Sequence, residues 1–185
     1  MSAPGFRTMT EQEYLSWDGP REGKWEFVDG FVYAQAGASK AHGLIAGNLL
    51  RVLLNASQHT SCYVIPSDMK VRVLRDGRPR YYLPDVVVTC DSHMQGDTET
   101  TPCLIVEILS AGTRAIDLSF KATDYLSLPS LQGYLLVDSE ARSVEFHRRV
   151  GQGWQIEVIE DAVELPCLDV SLQVNEVYAG VELVG

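Results

Sequence analysis

Two short runs in the middle of the chain constrain its fold more than any other feature. "YYLPDVVVTC" (residues 81–90) and "PCLIVEILS" (102–110) are apolar at nearly every position of both parities. As strands they have no face to offer water, so they belong inside a layered domain, in the middle of a sheet. Each run nevertheless carries one acid. Asp85 stands at the mouth of the first and Glu107 in the middle of the second. Burying a carboxylate is unfavourable unless something compensates its charge. Two such acids in consecutive apolar runs point to a site.

The neighbouring segments place these strands. Thr10 can cap a short helix to Asp18, with Glu13 completing a capping box. "KWEFVDGFVYAQ" predicts a hairpin turning at Asp29-Gly30. Ser39 caps a longer helix to about Gln58, with Ile45, Leu49, Val52 and Leu53 on its apolar stripe. Cys62–Ile65 and Met69–Leu74 are strands interrupted by Pro66, and "RDGRPR" is a turn. Thr113 can cap a helix to about Leu126, after which "GYLLVD", "SVEFHRR" and "WQIEVIE" are strands. Two short segments near Val163 and Val170 lead to a last helical turn. This order predicts one α/β (mixed α+β) domain over residues 1–185, with a central mixed sheet flanked by helices.

Composition narrows the function. No apolar run approaches the ~20 residues of a membrane span, and no secretory leader opens the chain, so a cytoplasmic protein is expected. The four cysteines (Cys62, Cys90, Cys103 and Cys167) form no C-x-x-C pair, which predicts buried, reduced thiols rather than a zinc site. The formal charge of −10 is unusual for a sequence-independent nucleic-acid binder. A nuclease stays open, because clustered acids can hold divalent cations that offset phosphate charge.

Strand parity puts Asp85 on one face with Val87 and Thr89, and Glu107 on one face with Cys103, Ile105 and Leu109. If the strands are neighbours, both acids can share a face. Two carboxylates about 4 Å apart repel by a few kcal/mol at an effective dielectric of ~20, so a shared proton, a basic partner or a cation must offset them. Mg2+, with Mn2+ as a substitute, takes oxygen ligands of this kind, and the carbonyl of Ile108 could add one more. The alternative is a pair of unrelated acids, one at a strand entry in solvent and one facing an edge.

The pattern Pro84-Asp85 … Glu107 resembles the PD-(D/E)xK nuclease signature. The wider string is similar to a large bacterial group of restriction-endonuclease-like proteins within that superfamily. The matching stretches are "MTEQEYLSW", "REGKWEFVDGFVYAQAGAS", "AHGLIAGNLL", "PSDMKVRV", "YYLPDVVVTC", "LIVEILSAGTRAID" and "SLQGYLLVDSE". The resemblance implies a restriction-endonuclease-like core, a Mg2+-dependent site, and nucleic-acid phosphodiester hydrolysis. One position departs from it: the superfamily lysine two residues after the glutamate is Leu109 here. The bacterial group carries its lysine in the following helix, where Lys121 matches. A solvated i,i+4 pair with Asp117 is the plainer reading of that lysine. Lys70, in "SDMKVRV", is the rival cation and a candidate substrate contact.

Glu26, between Trp25 and Phe27, matches an acid the group places near the site. It could ligate a metal or orient water, or it could be an edge-strand acid opposite Lys24. His42, on the stripe of Ile45 and Leu49, could donate to a phosphate oxygen, or be a half-buried structural histidine. The expected function is a Mg2+-dependent nuclease. The rival is an inactive nuclease fold kept for nucleic-acid binding or self-association. A homodimer is expected, partly from the resemblance and partly because Val144, Phe146, Trp154, Ile156 and Val158 suggest a C-terminal hairpin with one apolar face.

Overall fold

The computed structural model describes residues 7–17, 23–35, 37–91, 96–110 and 117–183. The chain runs β1 (Arg7–Thr8), α1 (Glu11–Leu15), β2 (Trp25–Val28), β3 (Phe31–Ala34), α2 (Lys40–Ser57), β4 (Tyr63–Pro66), β5 (Lys70–Arg75), β6 (Arg78–Tyr82) and β7 (Val86–Thr89). It continues with β8 (Thr98–Glu99) and β9 (Leu104–Leu109), then a π-helical turn (Asp117–Lys121) that leads into α3 (Ala122–Tyr125). The last elements are β10 (Gly133–Asp138), β11 (Val144–Val150), β12 (Gly153–Val158), β13 (Ala162–Leu165), β14 (Val170–Gln173) and α4 (Val174–Val177).

Local chemistry accounts for several of these boundaries. Thr10 and Glu13 close the expected capping box on α1, and the Ser39 side chain accepts from the His42 amide at the start of α2. Asp29 and Gly30 both take positive φ (51° and 91°), the backbone a type I′ turn requires, and join β2 to β3. Asp76 and Gly77 do the same between β5 and β6. Thr113 and residues 111–116 lie outside the described residues, as does Asp18.

The strands form two six-stranded sheets, ordered β1-β3-β2-β6-β5-β8 and β12-β11-β10-β9-β7-β4, with β13-β14 as a separate pair. The second sheet is mixed: β9 and β10 run parallel, and its other neighbours are antiparallel. It is buried on both faces, as its apolar runs require. On one face Val86, Val88, Leu104, Val106 and Ile108 meet Ile45, Leu49 and Leu53 of α2. On the other, Val87, Ile105, Leu109, Tyr134 and Leu136 meet Val71, Val73 and Tyr82 of the first sheet, together with Tyr125 of α3. Glu107 has the parity of Ile105 and Leu109, so it belongs to the face turned toward the first sheet.

The β11–β12 register pairs Val150 with Gly153, Phe146 with Glu157 and His147 with Ile156. Val144 and Phe146 therefore face the main core, while Trp154, Ile156 and Val158 share the opposite face with Arg149, His147 and Glu145. The hairpin has no single apolar face, because its two-residue turn couples even positions of one strand to odd positions of the other. The cysteines are also not free: Cys62 pairs with Cys90 and Cys103 with Cys167 in disulfides. Residues 28 and 64 apart in sequence meet because β4, β7 and β9 are neighbours and the β13–β14 turn lies over the same end. Among the described residues no helix is long and apolar enough to cross a membrane.

Candidate active site

A cavity of about 920 Å³ opens between the two sheets and the start of α2, and Glu26, Gln35, His42, Asp85, Glu107, Ile108 and Lys121 all line it. Asp85 precedes β7, just beyond the end of the β7–β9 ladder at Val86↔Val106. The Ile108 amide, past that ladder, donates to Asp85 Oδ2 at 2.7 Å. Asp85 Oδ1 lies 3.2 Å from His42 Nε2, which the first turn of α2 carries to the cavity. One backbone amide and one imidazole thus fix the carboxylate that begins the apolar run.

The second cluster centres on Lys121. Its ammonium is 2.8 Å from Glu26 Oε1 and 3.3 Å from Glu107 Oε1. All three residues are buried, with relative exposures of 3% for Lys121, 7% for Glu26 and 3% for Glu107. The lysine stands at the C-terminal end of the π-helical turn, and such turns are frequent at functional sites. It also sits 5.8 Å from the centre of the Tyr82 ring. The lysine is therefore part of the interior and no solvated surface residue. The Asp117 side chain, its alternative partner, lies outside the described residues.

Leu109 explains why the charge is supplied from there. It shares the face of Glu107, but it is 5% exposed and packs among Ile105, Ala122, Tyr125 and Tyr134. A lysine at that position would end in an apolar cluster. The turn after β9 instead returns Lys121 to the carboxylates.

Glu26 is not an edge residue, since β2 lies between β3 and β6. Its Oε1 also accepts from Gln35 Nε2 and from the Leu83 amide, each at 2.9 Å. Gln35 donates in addition to the Leu83 carbonyl at 2.7 Å, which ties the hairpin to the segment leading into Asp85. Lys70 is not brought to the cluster: its ammonium pairs with Asp97 at 2.5 Å, and it is not among the residues lining the cavity.

Several contacts around the candidate site were not visible in the sequence. Tyr125 donates to Glu107 Oε1 at 3.1 Å. Burial, and then the Glu107 charge beside it, push its phenol well above the ordinary value, so it stays a donor. Arg80, on the cavity wall, is held by both oxygens of Asp29 and by Asp124 Oδ2, which also accepts from Tyr82 at 2.6 Å. Burial opposes the Arg80 charge, but these hydrogen bonds outweigh it and hold the guanidinium above its usual range. Gln35 had a usable signal. The Asp29-Gly30 turn sets Glu26 opposite Tyr33, which makes Gln35 its diagonal neighbour.

Residues 11–175 match the model of the Uma2 family, described as "Putative restriction endonuclease". The chain belongs to the Uma2 family. The matched segment contains Glu26, Gln35, His42, Asp85, Glu107 and Lys121. A protein of Synechocystis sp., "Uncharacterized protein slr1290", is 35% identical over 97% of this chain and 95% of its own length. A second from the same organism, "Uncharacterized protein sll1609", is 32% identical over 78% of this chain and 83% of its own. A crystal structure from Anabaena variabilis, titled as a putative nuclease belonging to DUF820, superposes with a TM-score of 0.76. That match covers 94% of this chain and 99% of the other at 15% identity, so it establishes a common fold. The expected nuclease-family fold, with a mixed central sheet, is the fold of this Uma2 chain.

Proposed function

We propose that the chain is a divalent-metal-dependent nuclease that hydrolyses phosphodiester bonds of nucleic acid in this cavity. The observation that carries the proposal is the seat of Lys121, 3.3 Å from Glu107, where it replaces the cation that Leu109 cannot supply. A buried lysine between two carboxylates, in a cavity large enough for a nucleotide, is more than the fold needs for stability.

The donor set fits a hard cation. Asp85 and Glu107 offer carboxylate oxygens to the cavity, and Ile108 lies beside them with its amide turned to Asp85. The N–H and C=O of one strand residue project to the same edge, so the Ile108 carbonyl is a reasonable third donor. Oxygen sets of this kind suit Mg2+ or Mn2+. Held by these oxygens, such an ion would supply polarisation of the phosphoryl group and a lowered pKa for a bound water. The chain's own groups do the rest. Lys121 holds a fixed positive charge on the cavity wall for the negative charge that develops on phosphoryl oxygens. Gln35 and the Leu83 amide fix Glu26, so the ammonium cannot move away. Tyr125 donates to Glu107 and sets its orientation. His42 Nε2 faces Asp85 Oδ1 at 3.2 Å and holds that carboxylate on the cavity wall.

The test is cleavage of single- and double-stranded DNA and of RNA with Mg2+ or Mn2+, against EDTA and an Asp85→Ala control. Metal-dependent cleavage that the control lacks supports the proposal. The net charge of −10 favours a second reading, an inactive nuclease fold kept for association. No cleavage of any substrate, together with a melting temperature that Mg2+ does not raise, would establish that second reading. For assembly we propose a two-fold contact along β12, an edge strand where Ile156 and Val158 are 60% and 71% exposed.

A further inference from the structure

The four cysteines come from four separate segments, yet they meet at one place. Tyr63 pairs with Thr89, so Cys62 and Cys90 stand across from each other at the shared end of β4 and β7. Cys103 directly precedes β9, and its amide donates to the Val88 carbonyl at 2.7 Å. Cys167 reaches the same end from the turn between β13 and β14. The sulfurs of Cys90, Cys103 and Cys167 all lie within 4.8 Å of one another. Cys62 is bonded to Cys90, and its sulfur is 3.3 Å from the Cys167 carbonyl oxygen. Cys90, Cys103 and Cys167 are half-buried, and Cys62 is buried at 9% exposure.

We propose that this cluster is a redox-dependent thiolate metal site, closed as two disulfides and able to take one Zn2+ when reduced. Two independent disulfides have no need to share a point, whereas four sulfurs around one ion do. A tetrahedral tetrathiolate with Zn–S bonds of about 2.3 Å has sulfurs about 3.8 Å apart, within side-chain adjustment of the cluster. An all-sulfur set selects a soft or borderline ion and rejects Mg2+. The site is separate from the acidic cavity. Cys90 lies five residues beyond Asp85 along β7, roughly 17 Å at ~3.3 Å per residue.

Each disulfide takes two electrons and two protons from one equivalent of a dithiol reductant, which closes to its own disulfide. The four thiols then release four protons as their thiolates coordinate the ion, leaving a site of net charge −2. Binding at this end would pin β4, β7, β9 and the β13–β14 turn together, as the disulfides do.

The test uses the whole chain, reduced with a phosphine, desalted without oxygen and titrated with Co2+. Thiol counting should give four per chain after reduction. One Co2+ per chain should then bind, with a thiolate-to-cobalt charge-transfer band and intense tetrahedral d–d absorption, and one equivalent of Zn2+ should displace it. Cys90→Ser and Cys167→Ser should each lose the band, and Asp85→Ala should keep it. The wild-type spectrum alone can overturn the proposal, so it does not depend on the variants folding. Four titratable thiols after reduction and no charge-transfer band on adding Co2+ would overturn the proposal and leave the cluster as two disulfides only. Cobalt bound without that band belongs to the carboxylate cavity and equally refutes the thiolate site.

Discussion

Replacing Lys121 with methionine tests the architecture of the cavity most directly. The substitution keeps most of the buried volume and removes the charge. At an effective dielectric of ~20, the contacts of 2.8 Å to Glu26 and 3.3 Å to Glu107 correspond to gross attractions of about 6 and 5 kcal/mol. Desolvation of the three charges cancels much of that. The measured cost of breaking a buried pair from one side, about 3–5 kcal/mol, is the better guide, because two buried carboxylates lose their cation. At roughly 2–4 °C per kcal/mol for a chain of this size, the melting temperature should fall by about 6–20 °C. Glu107→Gln in the Lys121→Met background should recover part of the loss, with a coupling of ~0.5–3 kcal/mol. Differential scanning calorimetry of the four-member cycle measures both quantities. Cleavage, read in parallel at a temperature where the variant is folded, should drop by about 10²-fold or more. If Lys121→Met melts within 2 °C of wild type (about 1 kcal/mol or less) and the cycle is additive, the lysine is not seated between those carboxylates and the reasoning fails.

Leu109→Lys should not rescue Lys121→Met, because the new ammonium would lie among Ile105, Tyr125 and Tyr134; restored cleavage in the double variant would show that the strand position can still serve the site. The hydrogen bond from Tyr81 holds Glu11 below its ordinary value of 4.5, with Arg72 adding to the effect. A depressed folded pKa contributes stability that is present above the unfolded value and lost as pH falls through the folded one. Glu11→Gln should therefore flatten the loss of stability below about pH 4.5 and leave its slope near pH 7 unchanged, as read from urea midpoints across that range. Ile156→Lys with Val158→Lys should convert a dimer to a 20.5 kDa monomer in light scattering without lowering the melting temperature by more than ~1 °C, since both side chains are exposed; a wild-type chain already monomeric at micromolar concentration would remove the β12 contact.

The division between sequence and tertiary structure runs along the range of the interactions involved. Signals that act over a few residues were legible in the chain itself. The Thr10–Glu13 box, the Ser39 cap, the Asp29-Gly30 turn and the two-sided apolarity of β7 and β9 depend on backbone geometry and side-chain period, which neighbouring residues set. Strand parity also placed Glu107 on the face of Ile105 and Leu109, and the position of Asp85 at the mouth of its run was visible directly. What the chain could not state was which distant segments close on one another. Lys121 entered as a site candidate through the family resemblance, with a solvated i,i+4 pair as its alternative, and only the tertiary structure buries its ammonium between Glu26 and Glu107. Tyr125 carries no mark of its bond to Glu107 for the same reason. Apolarity alone groups Phe146 with Ile156, but the β11–β12 turn register sends them to opposite faces. The cysteines lacked any paired spacing because their proximity comes from strand order and from the β13–β14 turn, and loop closure over 28 and 64 residues leaves no periodic trace in a sequence.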